Sequence, residues 1–453
     1  MASLNTLAQT FLPRSLYQRL AASDISRRLA RGSFWSLVNA LVMKSATLVQ
    51  AIVLARLLGI SGFGEWGILL STIAMVGVFA SFGLGITTTK HVAQWHKDEP
   101  ERLSRLLGLL QLAAFTMGLI ICLVLWLASR PVAEHLLTAP HLSGAMVFVG
   151  IIVLLNAISS VYVAIINGLE RFRDSAVIHA FTTLSGVILT IVLAHFFGVM
   201  GAIVGLAITS LLNAGAFAIW AIVLLRRRNI PLYAQNPLAE WRGIRDFALP
   251  TAIAGAIVMV AMWAAQLMLV RQPGGFDEMG AYQAANQWRT VIVFLPTQLL
   301  AAYLPVLSSL LGGDQAHSQR LQQRTLLLVT GITLGISAPI ILAAPWLMAL
   351  YGSEFVIFWP ILVLVALIPM FDIAHVVFQK TAIAHGYAWT LLLSNLALVA
   401  AVAVGIFWLI PAYLGVGLAL TLLLGYASRV MAEYFIYRFK ALQVVSTSPQ
   451  NAA

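Results

Sequence analysis

Twelve stretches of this chain are each long and apolar enough to cross a bilayer, and that removes most folds open to 453 residues. A hydrocarbon core of about 30 Å takes ~20 helical residues. No water is present there to satisfy open backbone, so the spacing predicts an all-α polytopic bundle. The runs cover residues 33–58, 65–88, 105–128, 144–167, 175–197, 200–225, 247–270, 280–311, 325–347, 357–380, 388–409 and 413–437. Composition agrees: 60% hydrophobic residues and only 9% charged exclude a water-soluble globule. The first 32 residues carry five arginines and no apolar core ahead of a small-residue cleavage site. The first run is therefore expected to direct insertion itself. Cys122, the single cysteine, lies inside an apolar run and reads as a packing residue.

Connections between runs are short, and the longest, "RRRNIPLYAQNPLAEWRGIRD" at 226–246, divides the chain into two sets of six runs. The expected organisation is a basic N-terminal segment 1–32, an N-lobe 33–228, a cytoplasmic linker 229–246, a C-lobe 247–440 and a cytoplasmic tail 441–453. Segments on one side of the membrane hold twenty Lys and Arg, and those on the other hold two, Arg130 and Arg271. This positive-inside bias places both termini in the cytoplasm. It also accounts for most of the net charge of +11, so nucleic acid is an unnecessary partner. The stretch "SLYQRLAASDISRRLARGSFW" sets Leu16, Leu20 and Leu29 among arginines, as an amphipathic helix on the anionic leaflet or as a solvated tail.

One hexapeptide pattern occurs twice: "GFGEWG" at 62–67 and "GFDEMG" at 275–280, 213 positions later. Each follows an apolar run that ends near an arginine, Arg56 or Arg271, and each falls in the outer loop after the first run of its half. Even numbers of runs give the halves the same direction, as parallel repeats about an axis along the membrane normal. The glycines are expected to make a tight turn, with Phe63 and Phe276 at the interface and the glutamates in water. Two pseudo-symmetric six-helix lobes imply a central cavity between them.

No Walker loop and no HExxH is present, and the outer loops are too short to house a catalytic domain. Neither an enzyme nor a cofactor nor a metal site is expected. The informative residues are ionisable groups at membrane depth, which cost at least ~2.5 kcal/mol unless wet or paired. Lys44 lies about 16 Å along the first run and Arg289 about 14 Å along the eighth, at 1.5 Å per residue. Either both line a shared cavity or each makes a structural hydrogen bond to a neighbouring helix. Arg56 and Arg271, nearer the outer interface, belong to the same cavity or snorkel to the headgroups. Asp372, His375 and Gln379 share one face of the tenth run. Asp372 and His375 are candidates for ion coupling, the alternative being a polar seam in which Lys380 neutralises Asp372. Arg429 and Glu433 are expected to form an i, i+4 pair, and His179 and His195 to be satisfied without metal. Pro296, Pro305, Pro360 and Pro369 would bend the eighth and tenth runs, and Gly77, Gly83 and Gly85 the second.

The opening "RGSFWSLVNALVMKSATLVQAIVLARLLGISGFGEWGILLSTIAMVGVFASFGLGITTTKHVAQ" resembles the first two helices of the polysaccharide repeat-unit, or O-antigen, flippases. These belong to the multidrug/oligosaccharidyl-lipid/polysaccharide exporter superfamily. The shared pattern is an Arg-Leu-Leu-Gly helix end, a Gly-Phe-Gly turn with an aromatic, and a close on Phe-Gly-Leu-Gly. "GAYQAANQWRTVIVFLPTQLLAAYLPVLSSL" is similar to the family's matching segment in the second half. The resemblance implies two lobes of six helices, a cationic central cavity, and export of a lipid-linked oligosaccharide, usually on undecaprenyl pyrophosphate, across the bacterial inner membrane. Membrane lipids and other polysaccharide-assembly membrane proteins are the implied partners. Twelve runs count against the lipid II flippases, which usually have fourteen helices. The competing class is a small-molecule secondary transporter, such as a cation-coupled multidrug antiporter. Its major-facilitator version expects a Gly-Asp-Arg-rich loop where this chain has "TKHVAQWHKDEPERLSR".

Overall fold

A computed structural model describes residues 24–81, 83–231, 241–300, 303, 315–384 and 388–446. Their regular structure is helical. In chain order the main elements are α1 (Asp24–Ser81), α2 (Leu84–Trp95), α3 (Pro100–Leu127), α4 (Ser143–Gly168), α5 (Phe172–Arg226), α6 (Trp241–Val270), α7 (Gly275–Leu300), α8 (Gln315–Leu342), α9 (Trp359–Ala384) and α10 (Ala388–Ser446). Short helical turns connect α3 to α4 and α8 to α9.

Three helices are far longer than one membrane crossing, and each is two crossings joined at a single non-helical residue. The breaks are Gly59 in α1 (φ 71°), Gly198 in α5 (φ 59°) and Leu414 in α10 (φ 51°). Counted this way the helices correspond to all twelve apolar runs. The second run breaks at Gly83 (φ 68°), so its final turns form the separate α2. The linker expected over 229–246 is shorter than that, because α6 begins at Trp241. The basic segment 1–23, with Leu16 and Leu20, lies outside the described residues, as does Pro305.

The backbone carries the internal repeat. Gly59 lies three residues after Arg56 and Gly274 three residues after Arg271, and both adopt φ 71°. Left-handed backbone of this kind suits glycine because no Cβ meets the carbonyl. Gly198 and Leu414 repeat the relation at the other break of each half. The hexapeptides themselves are therefore not turns, as the sequence suggests. They form the first helical turns after the bend, since the left-handed residue just ahead of each has already reversed the chain.

Burial shows how the halves meet. At the hexapeptide end one continuous core joins them, with Leu54, Phe63 and Met146 from the first half and Met279, Tyr351 and Leu362 from the second. At the opposite end the cores separate, one around Leu107, Ile165 and Phe217, the other around Leu300, Ile373 and Val377. Among the described residues the bundle is thus packed most continuously at the hexapeptide end, while toward the other end the cores are separate and α2 of the first half still touches α6 of the second. Large apolar side chains coat the outside, including Phe196, Phe197, Trp346, Phe407 and Trp408 near the hexapeptide end. That placement matches an aromatic belt at a membrane interface.

Candidate substrate site between the halves

The closed end is built by the two hexapeptides, which pack on one another. A Cβ on Gly64 would collide with the Phe276 carbonyl oxygen, and one on Gly280 with the Ile60 carbonyl oxygen, so helix backbones touch in a reciprocal pair. Phe63 is fully buried and sits 6.2 Å from the rings of both Tyr351 and Phe355. The expectation of an interfacial Phe63 fails because the pseudo-symmetry axis, not lipid, lies beside it. Glu65 hydrogen-bonds His141 (2.8 Å), and half-buried Glu278 accepts the Gly415 N–H (3.1 Å), so neither glutamate is simply solvated. Arg56 does not snorkel: its Nε–H donates to the Leu350 carbonyl of the other half at 2.7 Å. Arg271 is exposed just ahead of the bend at Gly274. Further in, the Trp263 indole N–H donates to Thr72 Oγ1 at 2.9 Å, again across the halves.

Beyond this seal the cover over α7 thins. Residues Met279 to Ala285 are buried, whereas from Asn286 the helix is mostly only partly covered. Arg289 lies in that stretch. Its Nη2 donates to Asp372 Oδ2 on α9 (2.9 Å) and to Tyr426 Oη on α10 (2.8 Å), and the guanidinium carbon stands 4.8 Å from the Tyr426 ring centroid. Asp372 is thus neutralised by Arg289 and not by Lys380, because the helix rotation turns it toward α7. Arg289 and Asp372 remain 17% and 22% exposed, so the pair is largely but not fully covered.

One turn further along α9, His375 Nδ1 and Glu433 Oε1 are 2.6 Å apart, and Ser394 Oγ–H donates to the same oxygen at 3.0 Å. Glu433 therefore pairs across helices, and the expected link to Arg429 is absent among the described residues because its carboxylate turns toward α9. Glu433 Oε2 and Arg429 Nε have no hydrogen-bond partner. Buried ionic partners are costly to separate, by about 3–5 kcal/mol. Glu433→Ala should therefore lower the melting temperature of the purified protein by several degrees more than Glu99→Ala, which touches only the exposed pair with Arg102. Equal shifts would show that the His375–Glu433 pair is not buried.

Lys44 follows the opposite pattern. It is exposed on the first crossing of α1, and its ammonium makes no hydrogen bond or ion pair with the described residues. Of the sequence-derived candidates, the structure brings Arg289, Asp372 and, one turn on, His375 together, and assigns Arg56 to the seal. Tyr426 escaped the sequence reading, although Tyr426, Arg429 and Glu433 fall on one helical face.

Two cavities complete the geometry. An apolar cleft of about 440 Å³ runs between Phe79 of α1, Ile257 and Val260 of α6, and Val402 and Ile406 of α10. A polar cavity of about 720 Å³ lies within the first half, among α2, α4 and α5.

Two helical halves that share one core at the hexapeptide end, with a partly exposed ionic pair at membrane depth, define a polytopic membrane protein of transporter architecture. The chain belongs to the polysaccharide biosynthesis protein family, which it matches over residues 29–311. It is 28% identical over 288 residues to the lipid III flippase of Escherichia coli (strain K12), covering 62% of this chain and 68% of that one. It is 23% identical over 350 residues to the succinoglycan biosynthesis transport protein ExoT of Rhizobium meliloti (strain 1021), covering 76% and 66%. Among solved structures, an inward-facing multidrug resistance MATE family transporter of the MOP superfamily superposes with a TM-score of 0.72 at 15% identity, covering 90% of this chain and 99% of that one. The lipid II flippase MurJ, in an inward closed conformation, also gives 0.72 at 12% identity, covering 89% and 87%. These two likenesses show the fold.

Proposed function

We propose that this protein is a flippase that carries an undecaprenyl-pyrophosphate-linked oligosaccharide across the bacterial inner membrane for surface polysaccharide assembly. The observation that carries this reading is a partly exposed cation at membrane depth, Arg289, in the second of two halves that share one core at one end and hold separate described cores at the other. A pyrophosphate entering hydrocarbon needs charge-assisted donors in place of water. Arg289 offers a planar fork already oriented by Asp372 and Tyr426, and exposed Lys44 offers a second cation. The apolar cleft suits the polyprenyl tail, since its lining is almost wholly hydrocarbon. Family membership and the names of the two sequence relatives support the substrate class.

Alternating access would proceed by opening the seal between the hexapeptides while the separated cores close. Asp372 and His375 are the groups we assign to ion coupling, since both sit on α9 beside Arg289. The halves correspond to the N-lobe and C-lobe divided at the linker, and Arg56, held in the seal, and Arg271 are the sequence-derived cations we place outside the binding site in this state. Membrane lipids and other polysaccharide-assembly proteins are the partners that fit this role; no catalytic step is required of the chain.

The charge asymmetry sets the direction, with the sealed end periplasmic and both termini cytoplasmic. Phosphatase and fluorescent-protein fusions at Asn451 and beside Asp277 test it. The expected result is a fluorescent fusion at Asn451 and an active phosphatase beside Asp277. An active phosphatase at Asn451 would overturn the topology. Function is tested by complementing a flippase-deficient strain at matched expression; failure to restore surface polysaccharide with the cognate glycan pathway present would reject the reading.

A further inference from the structure

The second cavity, within the first half, is not used by the reading above, yet it gathers amides and hydroxyls from three helices. One face of α4 supplies Asn156, Ser159, Ser160 and Asn167, running from mid-helix to its end. The second half of α5 adds Asn213, and α2 adds Thr89. A hydrogen-bond chain fixes part of this wall. Ser159 Oγ–H donates to Asn213 Oδ1 (2.9 Å), Asn213 Nδ2–H donates to Thr182 Oγ1 (3.0 Å), and Thr182 Oγ–H donates to the Ile178 carbonyl (2.9 Å). That chain leaves Asn213 one amide N–H and one acceptor lone pair for the cavity.

Asn156 is the sharper observation. It stands in the middle of a 26-residue helix, its side chain is exposed into this cavity, and it makes no hydrogen bond with the described residues. An amide facing hydrocarbon loses its hydrogen bonds at substantial cost, so this position is maintained where water or a ligand can satisfy it. The Asn167 side chain has the same standing near the end of α4.

The lining also limits the ligand. It contains no carboxylate and includes Lys90 and His179, and its amides and hydroxyls both donate and accept. That is the complement of a polyhydroxylated surface, whose hydroxyls need a donor and an acceptor each. The volume of about 720 Å³ suits a small oligosaccharide better than a single ion, since small-molecule sites usually run ~300–1,000 Å³.

We infer that this cavity of the first half is a glycan subsite, binding the sugar portion of the lipid-linked substrate through Asn156, Asn167 and Asn213. The inference rests on the flippase reading above and adds to it a division of labour, with sugar bound in one half and pyrophosphate held by Arg289 of the other.

The test uses the purified full-length protein in nanodiscs and two phosphorus-32-labelled probes: bare undecaprenyl pyrophosphate, and its glycosylated form extracted from the host's own membranes. The parent should bind the glycosylated lipid about tenfold more tightly or better, the scale of two net hydrogen bonds. Asn156→Leu combined with Asn167→Leu should bring that ratio close to one while bare-lipid affinity stays unchanged. Asn156→Gln, which keeps the amide, should retain most of the preference. A double variant that keeps the parent's ratio, or one that loses both lipids equally, overturns the glycan subsite and leaves the Arg289 reading standing. A parent without preference overturns it likewise. A parent that binds neither lipid overturns the flippase reading, and the subsite with it.

Discussion

Arg289→Ala should abolish surface polysaccharide, lowering substrate translocation by a hundredfold or more, and Asp372→Asn in the same chain should not restore it. The substitution has two separable effects. Removing the guanidinium leaves Asp372 half-buried without its partner and Tyr426 without its donor, which alone costs about 3–5 kcal/mol of stability. The added Asp372→Asn removes the stranded charge, so the double variant should recover much of the melting temperature and membrane yield. It cannot recover the charge that meets a pyrophosphate. Arg289→Lys should keep partial transport, because the charge survives while the planar fork and its stacking on Tyr426 are lost. Lys44→Ala should reduce transport with no change in stability, since its ammonium holds nothing in place among the described residues. Expression-matched complementation, read beside thermal stability of each purified variant, decides. If the double variant restores polysaccharide along with stability, Arg289 is a structural hydrogen-bonding group.

The second large effect should come from Gly64→Leu. Its side chain would enter the space of the Phe276 carbonyl, where backbone of the other half cannot retreat without parting the helices. Overpacking of a close helix contact costs about 1–3 kcal/mol. That cost falls on the sealed state alone, because the clash is between the halves and the core of each half is untouched. The expected outcome is a folded protein that no longer closes at the hexapeptide end and no longer exports polysaccharide. With Cys122→Ala as background, a Gln283→Cys reporter, buried against Gly67 in the sealed state, should be labelled by an impermeant maleimide from the periplasm only when Gly64→Leu is present. Labelling that is the same with and without Gly64→Leu would show that this contact does not gate the cleft.

The fold was legible in the sequence wherever bilayer physics acts on single segments. Spans follow from run length, and the repeat from two hexapeptides. Gly59 and Gly274 were visible as glycines beside arginines, but which residue bends could not be read, and Leu414 bends without being glycine. Side-chain partners were less legible because they depend on the rotation of each helix about its axis. In an almost uniformly apolar sequence the amphipathic pattern that reports rotation is weak. The sequence therefore offered Asp372 only Lys380 and Glu433 only Arg429, neighbours on their own helices, and not Arg289 or His375 across the bundle. Phe63 was misplaced for a related reason: an aromatic at the end of a span looks the same whether lipid or a second lobe lies beside it. The polar cavity was missed because Asn156, Ser159 and Ser160 come from one helix, and Asn213 from a crossing more than fifty residues later.

Translocation in a reconstituted bilayer tests the central claim most directly. Proteoliposomes containing the purified chain and a phosphorus-32-labelled, undecaprenyl-pyrophosphate-linked oligosaccharide from the host should move the lipid between leaflets, read as its accessibility to an external glycosidase over time. Protein-free liposomes and the Arg289→Ala, Asp372→Asn protein should leave it where it was inserted. Movement that matches protein-free liposomes, with cation-driven uptake of small organic cations by the same vesicles, would contradict the account and assign the chain to the multidrug antiporters.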